Sequence, residues 1–333
     1  MIKVTYTMKF RTEIDIMPWS EPIGYNTHIV CLGSCFASNI ASRLKHSKFN
    51  VVDSPTGILF NPASIAQSVD MMLRATKGEC VVNMSNMVDM GGRYVNYDFH
   101  SAISGATSDD AAETILQCVT SGGNALNNSD LLIVTLGTAW CYELRESGRV
   151  VANCHKQPAK LFNRRLLSVA EVVEALKSIV ETVNSRVVFT VSPVRHIGEG
   201  MEDNALSKAI LRVAVAEVCA SYGKGVDYFP SYEIMMDDLR DYRFYDNDMV
   251  HPSSMAVDYI ADKFFDAVLT SEAKTLMQRV QKVVSAAEHR LFDSTSTAYK
   301  TFCRKQLDEI AAMPNVDFSE EKALFERMLQ INL

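Results

Sequence analysis

Short apolar runs recur along the first 270 residues of the chain, and they predict the strands of a sheet. Continuous apolar runs bounded by turn residues are typical of strands that are buried on both faces. The predicted strands are 29–32 (IVCL), 49–52 (FNVV), 131–136 (LLIVTL), 187–191 (VVFTV) and 226–229 (VDYF).

Helical periodicity fills several of the segments between these runs. Phe36, Ile40 and Leu44 recur every four residues, which places them on one face of a helix. The same periodicity predicts helices over 169–183, 206–219 and 256–269. Alternating strands and helices predict a three-layer, doubly wound α/β fold with a parallel sheet, in which functional residues lie at the carboxyl ends of the strands.

Two segments and the C-terminus depart from this alternation. Residues 80–98 carry two β-like stretches around Gly91-Gly92, and residues 140–152 predict a second hairpin that turns at Ser147-Gly148. From about Ser271 the chain is helical and charged. We therefore predict one domain over 1–270 with two hairpin insertions, and a helical C-terminal extension over 271–333 that packs on or beside it.

Composition and charge restrict the partners and the compartment. The 33 Lys and Arg residues against 40 Asp and Glu give a formal charge of −7, and no basic stripe for nucleic acid is visible. No stretch reaches the roughly 18 apolar residues that a membrane span needs. Residues 1–28 contain no apolar core of a secretory signal. The eight cysteines are therefore interpreted as reduced residues of a cytoplasmic protein.

Cys35 does not fit the interpretation of the other cysteines as core residues. Gly33-Ser34-Cys35 joins the first strand to the first helix, where backbone N–H groups and the helix dipole stabilise negative charge. Such a position can lower the pKa of a thiol, and its amides can stabilise the oxyanion of a tetrahedral intermediate. The alternative is that Ser34 caps the helix and Cys35 packs beneath it.

Asp248 and His251 form a second candidate pair, just before the predicted closing helix. An Asp-x-x-His pair can supply a general base and the carboxylate that orients it. A lone histidine is more often an ordinary surface residue. Because the first and last βα loops are often neighbours at the carboxyl edge of a sheet, the pair is a plausible partner for Cys35.

Several separate motifs occur in an order that resembles a known family. They are GSCFA at 33–37, SPTGILFNPASI at 54–65, VTLGTAW at 134–140, NCHKQP at 153–158, SPVRH at 192–196 and YFPSYEIMMDDLRDYRFYDNDMVHPS at 228–253. Together they resemble the bacterial GSCFA-domain family over about residues 27–270. That family looks like a branch of the SGNH/GDSL hydrolases, which use a flavodoxin-like sheet for ester hydrolysis or acyl transfer.

The resemblance implies roles for particular residues. The opening Gly-Asp-Ser of the SGNH enzymes falls on Gly33-Ser34-Cys35, and their closing Asp-x-x-His falls on Asp248 to His251. Cys35 then takes the position of the nucleophile, with Ser34 as the rival. The resemblance also implies an oxyanion-hole glycine at Gly57, for which an ordinary turn glycine is the alternative.

The third block of the parent pattern is not conserved in this chain. Where the SGNH enzymes have Gly-x-Asn-Asp, this chain has Gly137-Thr138-Ala139-Trp140, so the oxyanion asparagine is missing there. Thr138 or Asn153 could replace it, or the backbone amides of Cys35 and Gly57 could suffice. We expect the amide of Cys35, with Gly57 and the Gly137-Thr138 region, to stabilise the oxyanion.

The remaining polar candidates follow predicted strands or hairpins. Asn153 and His155 follow the second hairpin, and Arg195 and His196 follow the fourth strand, where ligand-facing residues are expected. Arg195 could instead pair with one of the acids in 237–248. A zinc site built from cysteines and His251 is disfavoured because no Cys-x2-Cys pair exists, so we predict no metal. The sequence contains no phosphate-loop motif, so we predict no nucleotide cofactor.

These observations predict an acyl-ester hydrolase or acyltransferase. The substrate would be a small or carbohydrate-linked O-acyl ester, attacked by Cys35 or Ser34 with His251 and Asp248. The alternative is a catalytically inactive protein that keeps the pocket for a carbohydrate or acyl ligand.

Overall fold

Residues 11–288 and 297–330, which the computed structural model describes, form a mixed α/β structure. The strands are β1 (Ile29–Gly33), β2 (Val51–Asp53), β3 (Met87–Asp89), β4 (Tyr94–Asn96), β5 (Leu131–Leu136), β6 (Trp140–Leu144), β7 (Val150–Val151), β8 (Phe162–Leu166), β9 (Arg186–Val191) and β10 (Val226–Phe229). The helices are α1 (Cys35–His46), α2 (Pro62–Ala75), α3 (Ser108–Asn127), α4 (Val169–Thr182), α5 (Met201–Tyr222), α6 (Ser231–Glu233), α7 (Ser254–Val268), α8 (Ser271–Glu288), α9 (Thr297–Ala311) and α10 (Ser319–Gln330).

The predicted parallel sheet is confirmed. Its strands lie in the order β2-β1-β5-β9-β10, and every neighbouring pair is parallel. The chain passes from β1 to β2 on one side and then continues at β5 on the other side, so the direction of winding reverses beside β1. In open sheets of this type, ligands bind beyond the carboxyl ends of the strands at such a reversal.

The second strand begins later than its apolar run predicts. The run covers 49–52, whereas β2 covers Val51–Asp53. The N–H of Phe49 donates to the carbonyl of Leu44 at 3.0 Å. The Phe49 ring also stacks on Tyr25, with 4.2 Å between centroids. Phe49 is apolar because it packs against Tyr25 rather than because it belongs to the sheet.

Both faces of the sheet are buried, as the continuous apolar runs predict. Val30 and Leu32 of β1 belong to a core cluster that includes residues of α2, α3, α4 and α5. Ile29 and Cys31 alternate with them and are equally buried, so they face the opposite side. On that side Phe264 of α7 packs edge-to-face on Phe229 of β10. The helices therefore form two layers around the sheet.

The two predicted hairpins are confirmed, and one of them is larger than predicted. β3 and β4 pair antiparallel on either side of Gly91-Gly92. β6 pairs antiparallel with β7 and also with β8, which gives a three-stranded sheet in the order β7-β6-β8. The sequence of β8, FNRRL, hides this strand because its central residues are polar and exposed.

The described chain divides into two compact units. The first contains 11–16, 28–41 and 51–264, and the second contains 17–27, 42–50, 265–288 and 297–330. The second unit has its own apolar cluster, which includes Val280, Val283, Cys303 and Phe325.

Parts of two sequence-based predictions cannot be compared with the structure. Residues 289–296 and 331–333 of the predicted helical extension lie outside the described residues. Residues 1–10, part of the segment searched for a signal, lie outside them too. Within the described residues, no helix is both long enough and apolar enough to cross a membrane.

Candidate active site

The junction of β1 and α1 approaches β5 so closely that only glycine fits at position 33. Gly33 has a φ of +122°, and a Cβ atom there would lie 2.1 Å from the carbonyl oxygen of Thr135. The next N–H, of Ser34, donates to that same oxygen at 3.0 Å. Gly33 therefore turns the chain sharply from the strand into α1, and Cys35 is the first residue of that helix.

The Cys35 thiol is partly exposed, and its pKa is not lowered as the sequence predicts. Burial raises the pKa of Cys35. The backbone N–H groups of Cys35 and Phe36 and the positive charge of Lys208 oppose this rise without cancelling it. The expected effect of the helix start is therefore present, but desolvation exceeds it. A thiol in this environment would need a base to remove its proton before it could act as a nucleophile.

Ser34 lies in a different environment from Cys35. Its side chain is buried, with 1 % exposed. Its Oγ has no hydrogen-bond partner among the described residues. The hydroxyl therefore does not cap α1. The alternative in which Ser34 caps the helix and Cys35 packs beneath it is wrong for Ser34.

Asp248 and His251 form a hydrogen-bonded pair. His251 Nδ1 lies 2.6 Å from Asp248 Oδ2, while Asp248 Oδ1 accepts from the N–H groups of Val250 and His251, each at 2.9 Å. These bonds, first that from the His251 N–H, lower the pKa of Asp248 to about 2. The carboxylate is thus ionised over the physiological range and holds one ring nitrogen of His251.

The loop that carries this pair is bonded to the segment that follows β9. The N–H of Arg195 donates to the carbonyl of Val250 at 3.2 Å. The charge of His251 also acts on the neighbouring His196. No hydrogen bond joins the Cys35 thiol to His251 among the described residues. Catalytic hydrogen bonds are often formed only when substrate is bound.

His196 is neutral at this edge of the sheet. Burial, together with the charges of Lys208 and His251, lowers the pKa of His196 to about 4. The ring packs edge-on against Phe60, with 5.8 Å between centroids. Its Nε2 atom is buried and has no hydrogen-bond partner among the described residues.

Lys208 is a residue of this region that sequence reasoning missed. It lies on α5 and is buried, with 1 % exposed. Its Nζ donates to the carbonyls of Gly137 at 2.6 Å and Ser192 at 2.7 Å. The signal was available, because Lys208 shares the helical stripe of the apolar residues Leu211 and Val215.

The three backbone donors predicted near the oxyanion are already used in this structure. The Gly57 N–H donates to the carbonyl of Ser54 at 2.7 Å. The N–H groups of Gly137 and Thr138 both donate to the carbonyl of Phe60, at 2.8 and 3.0 Å. Gly57 also has a φ of +81°, and a Cβ atom there would lie 2.3 Å from that of His100. Its oxyanion role stays a prediction, whereas its need to be glycine is explained by the turn.

The side chains of Thr138 and Asn153, the predicted replacements for the missing asparagine, also have partners. The Thr138 hydroxyl lies 2.9 Å from that of Ser207 and accepts from the N–H of Trp140. Asn153 donates to Ser101 at 3.3 Å and accepts from the N–H of His155 at 2.8 Å.

His155 and Arg195 contact other parts of the protein. His155 is buried, and its ring nitrogens lie 2.8 Å from the Asn96 carbonyl and 3.0 Å from the Ser101 hydroxyl, within the hairpin region. The Arg195 guanidinium lies 3.9 Å from the ring centroid of Tyr245. Neither the described acids of 237–248 nor any other described carboxylate forms an ion pair with Arg195. The predicted substrate contacts of these two side chains stay untested.

A cavity of about 450 Å³ opens between the ends of the strands and the β6–β8 hairpin region. Four aromatic rings and several uncharged polar side chains line it. The aromatic residues are Phe60, Trp140, Tyr142 and Phe162, and the polar residues are Asn61, Thr138, Asn153, Gln157 and His196. Cys35 is not among the described lining residues, but His196 and Thr138 link the cavity to the region around Lys208.

Asn61 is a second residue that the sequence did not reveal. It is the N-cap of α2, and its Oδ1 accepts from the N–H of Ser64 at 2.9 Å. Because the oxygen faces the helix, the Nδ2 group is the part of the amide that remains for a ligand in the cavity. Asparagine is a common N-cap, so its capping role alone would also explain it.

Metal ligands are not clustered in the described part of the chain. No group of three or more His, Cys, Asp or Glu side chains there is arranged to hold a metal ion.

These features define an α/β protein with a parallel five-stranded sheet, whose carboxyl edge carries a thiol, a histidine–aspartate pair and a buried lysine. Comparison with protein-family models narrows this class to one family. Residues 28–264 match the GSCFA family, and residues 280–331 match the C-terminal domain of GSCFA domain proteins. The chain therefore belongs to the GSCFA family, as its motifs indicate. A search of curated proteins found no match.

Proposed function

We propose that the protein is an acyl-ester hydrolase or acyltransferase that forms a thioester on Cys35. The observation that carries this proposal is the pair formed by His251 and Asp248, 2.6 Å apart. Their loop is bonded to the segment after β9, on the same sheet edge at which α1 begins with Cys35. A nucleophile, a base and a group that orients the base are the components of covalent acyl transfer.

In the first half of the proposed reaction, Cys35 Sγ attacks the acyl carbon of an ester. His251 Nε2 takes the thiol proton as the carbon–sulfur bond forms, and the electron pair of the carbonyl moves to its oxygen. When the tetrahedral intermediate collapses, the carbon–oxygen bond breaks, and the departing alkoxide takes the proton from His251. Asp248 stabilises the imidazolium that forms in between. This general-base route suits a thiol whose pKa is raised rather than lowered.

In the second half, water or an acceptor hydroxyl attacks the thioester. His251 takes the proton of the attacking oxygen, the carbon–sulfur bond breaks, and the Cys35 thiolate takes that proton back. Water gives hydrolysis, and a hydroxyl group gives acyl transfer. Both outcomes use the same residues.

The oxyanion donors in this proposal are the N–H of Cys35 and the Nδ2 group of Asn61. The N–H groups of Gly57, Gly137 and Thr138 would join them only if their present bonds opened. Losing one oxyanion donor typically costs about 10²–10³ in kcat, so a replacement for the missing asparagine of the third block should be measurable.

The lining of the cavity suggests the substrate class. Its aromatic rings and side-chain amides suit an uncharged, hydroxylated ligand, and His196 is neutral there. We therefore propose a small or carbohydrate-linked O-acyl ester, with Asn153 and His196 contacting it. We also propose that 1–270 carries the activity, with 271–333 as an appended helical segment. A reducing, cytoplasmic setting suits the eight free cysteines.

Intact-protein mass spectrometry with a panel of activated acyl esters tests the proposal. The wild type is compared with Cys35→Ala, Ser34→Ala and His251→Ala. Cys80→Ala serves as the matched control, because Cys80 is exposed and an adduct formed there without any site would be lost in this variant. We expect one acyl adduct in the wild type, in Ser34→Ala and in Cys80→Ala. The adduct should be absent in Cys35→Ala and should form much more slowly in His251→Ala.

Two results would contradict this assignment. An adduct that survives Cys35→Ala and disappears in Ser34→Ala would make Ser34 the nucleophile. If no ester of the panel acylates the wild type, the alternative of an inactive carbohydrate- or acyl-binding protein is favoured.

A further inference from the structure

Lys208 is a buried charge at the carboxyl edge of the sheet. Its side chain is 1 % exposed, and its Nζ donates to the carbonyls of Gly137 and Ser192 at 2.6 and 2.7 Å. Gly137 is the first residue after β5, and Ser192 is the first residue after β9. One ammonium group thus bonds the ends of two neighbouring strands.

A lysine in this position is unusual on physical grounds. Lysine is almost never fully buried, because an ammonium group loses its hydration there. The two carbonyls compensate for only part of that loss. Leu211 and Val215, on the same stripe of α5, show that apolar residues fill the neighbouring positions. An apolar side chain at position 208 would leave these two carbonyls without their donor, so the ammonium has a structural role as well.

The charge of Lys208 acts on the candidate nucleophile. The carbonyl of Gly33 accepts from the N–H of Leu59 at 2.9 Å, and the N–H of Gly137 donates to the carbonyl of Phe60 at 2.8 Å, so two consecutive residues bond the β1–α1 junction and the residue that holds Lys208. The positive charge of Lys208 acts on the pKa of the Cys35 thiol and lowers it against the effect of burial. It also contributes to keeping His196 neutral.

We propose that Lys208 is a positioning residue of the Cys35 site, whose ammonium joins the ends of β5 and β9 and stabilises the thiolate form of Cys35. The use of that thiolate in acyl transfer rests on the proposed function. The electrostatic effect on the thiol does not. In the reaction described above, the same charge would favour thiolate as the leaving group when the thioester is cleaved.

The test is the pH dependence of Cys35 alkylation by iodoacetamide, followed on the Cys35 peptide by mass spectrometry. Lys208→Gln retains hydrogen-bond donors without the charge, Lys208→Met removes both, and Lys208→Arg retains the charge. Because a nearby opposite charge shifts a pKa by about 1 unit or more, we expect about tenfold slower alkylation at pH 8 in the Gln and Met variants. Lys208→Arg should stay close to the wild type.

Lys263→Met is the matched control, because Lys263 is another largely buried lysine that bonds a backbone carbonyl, at 3.0 Å to Ile14. It should destabilise the protein without altering the alkylation profile of Cys35.

An unchanged profile in a folded Gln or Met variant would overturn the proposal, even if its melting temperature falls. If neither neutral variant folds while Lys208→Arg does, Lys208 is a folding residue and the proposal is also overturned. The same holds if Cys35 of the wild type is not alkylated at any pH up to about 10, since such a thiolate is inaccessible. The experiment requires no turnover, so a failure of the acylation test and a failure of this one are separate results.

Discussion

The carboxylate of Asp248 binds both the ring and the backbone of His251. Oδ2 lies 2.6 Å from Nδ1 of the ring, and Oδ1 accepts from the N–H of His251 and from that of Val250, each at 2.9 Å. Because an ionised carboxylate can only accept, the proton of the neutral ring lies on Nδ1. One side chain therefore fixes the loop and leaves Nε2 available as a base.

Asp248→Asn separates these two functions. The amide oxygen can still accept from both N–H groups, so the loop should keep its conformation. An amide nitrogen facing Nδ1 favours the wrong tautomer, and we expect kcat/KM for an activated ester to fall about 10³–10⁴-fold. Steady-state kinetics together with a thermal melt measure the two effects. A variant within tenfold of the wild type would show that the pair does not act in the reaction.

The pH profile of the same reaction should not report Asp248 in the ordinary range. The pKa of this carboxylate is lowered to about 2, so its charge is lost only as the pH falls through that value. Any loss of activity between pH 7 and pH 4 should therefore arise from a group other than Asp248. The pH dependence of kcat/KM for an activated ester measures this.

Ser34→Ala tests which side chain of the β1–α1 junction reacts. Ser34 Oγ is buried and unpartnered, and an unpaired buried hydroxyl costs about 1–3 kcal/mol. We expect acylation at the wild-type rate, and a free energy of unfolding that is unchanged or higher by about 1 kcal/mol. Urea denaturation measures the second quantity. Loss of the acyl adduct in a folded Ser34→Ala variant would transfer the role of nucleophile from Cys35 to Ser34.

Asn61→Asp separates helix capping from oxyanion stabilisation. Aspartate is as good an N-cap as asparagine, and its oxygen can still accept from Ser64. It replaces the Nδ2 donor by a negatively charged oxygen, so kcat should fall at least about 10²-fold. Because Asn61 is only 5 % exposed, burial of the new charge should also lower the melting temperature. Asn61→Ala is the comparison, because it loses the cap as well. Equal activity in Asn61→Asp and the wild type would exclude Asn61 as an oxyanion donor.

The sequence predicts the fold and the candidate site better than the environment of the candidate residues. Apolar runs define the sheet because both of its faces are buried, as Ile29 and Val30 show on opposite faces of β1. Cys35 and His251 are candidates from the sequence because motifs keep residue types in order. The raised pKa of Cys35 could not be predicted from the sequence. The helix start is local and visible there, whereas burial depends on elements that are distant in the chain.

Lys208 shows a different limit. A single lysine in a helical pattern is normally interpreted as a side chain at the edge of the stripe, because lysine can extend its charged end to water. Only the tertiary structure shows that its Nζ reaches the carbonyls of Gly137 and Ser192. Strand β8 was missed for a related reason, since its exposed Asn163 and Arg164 give no apolar alternation.

His196 should make the protein less stable in mild acid. Its pKa is lowered from 6.5 to about 4, so between these values the unfolded chain binds a proton that the folded chain does not bind. Stability is therefore lost as the pH falls from about 6.5 to about 4, by an amount on the order of 2–3 kcal/mol for this group. His196→Gln removes the titration. Between pH 7 and pH 4, the free energy of unfolding of the wild type should fall by about 2–3 kcal/mol more than that of His196→Gln. Urea denaturation at the two pH values measures this difference. Parallel stability curves would show that His196 is not held neutral by burial, Lys208 and His251.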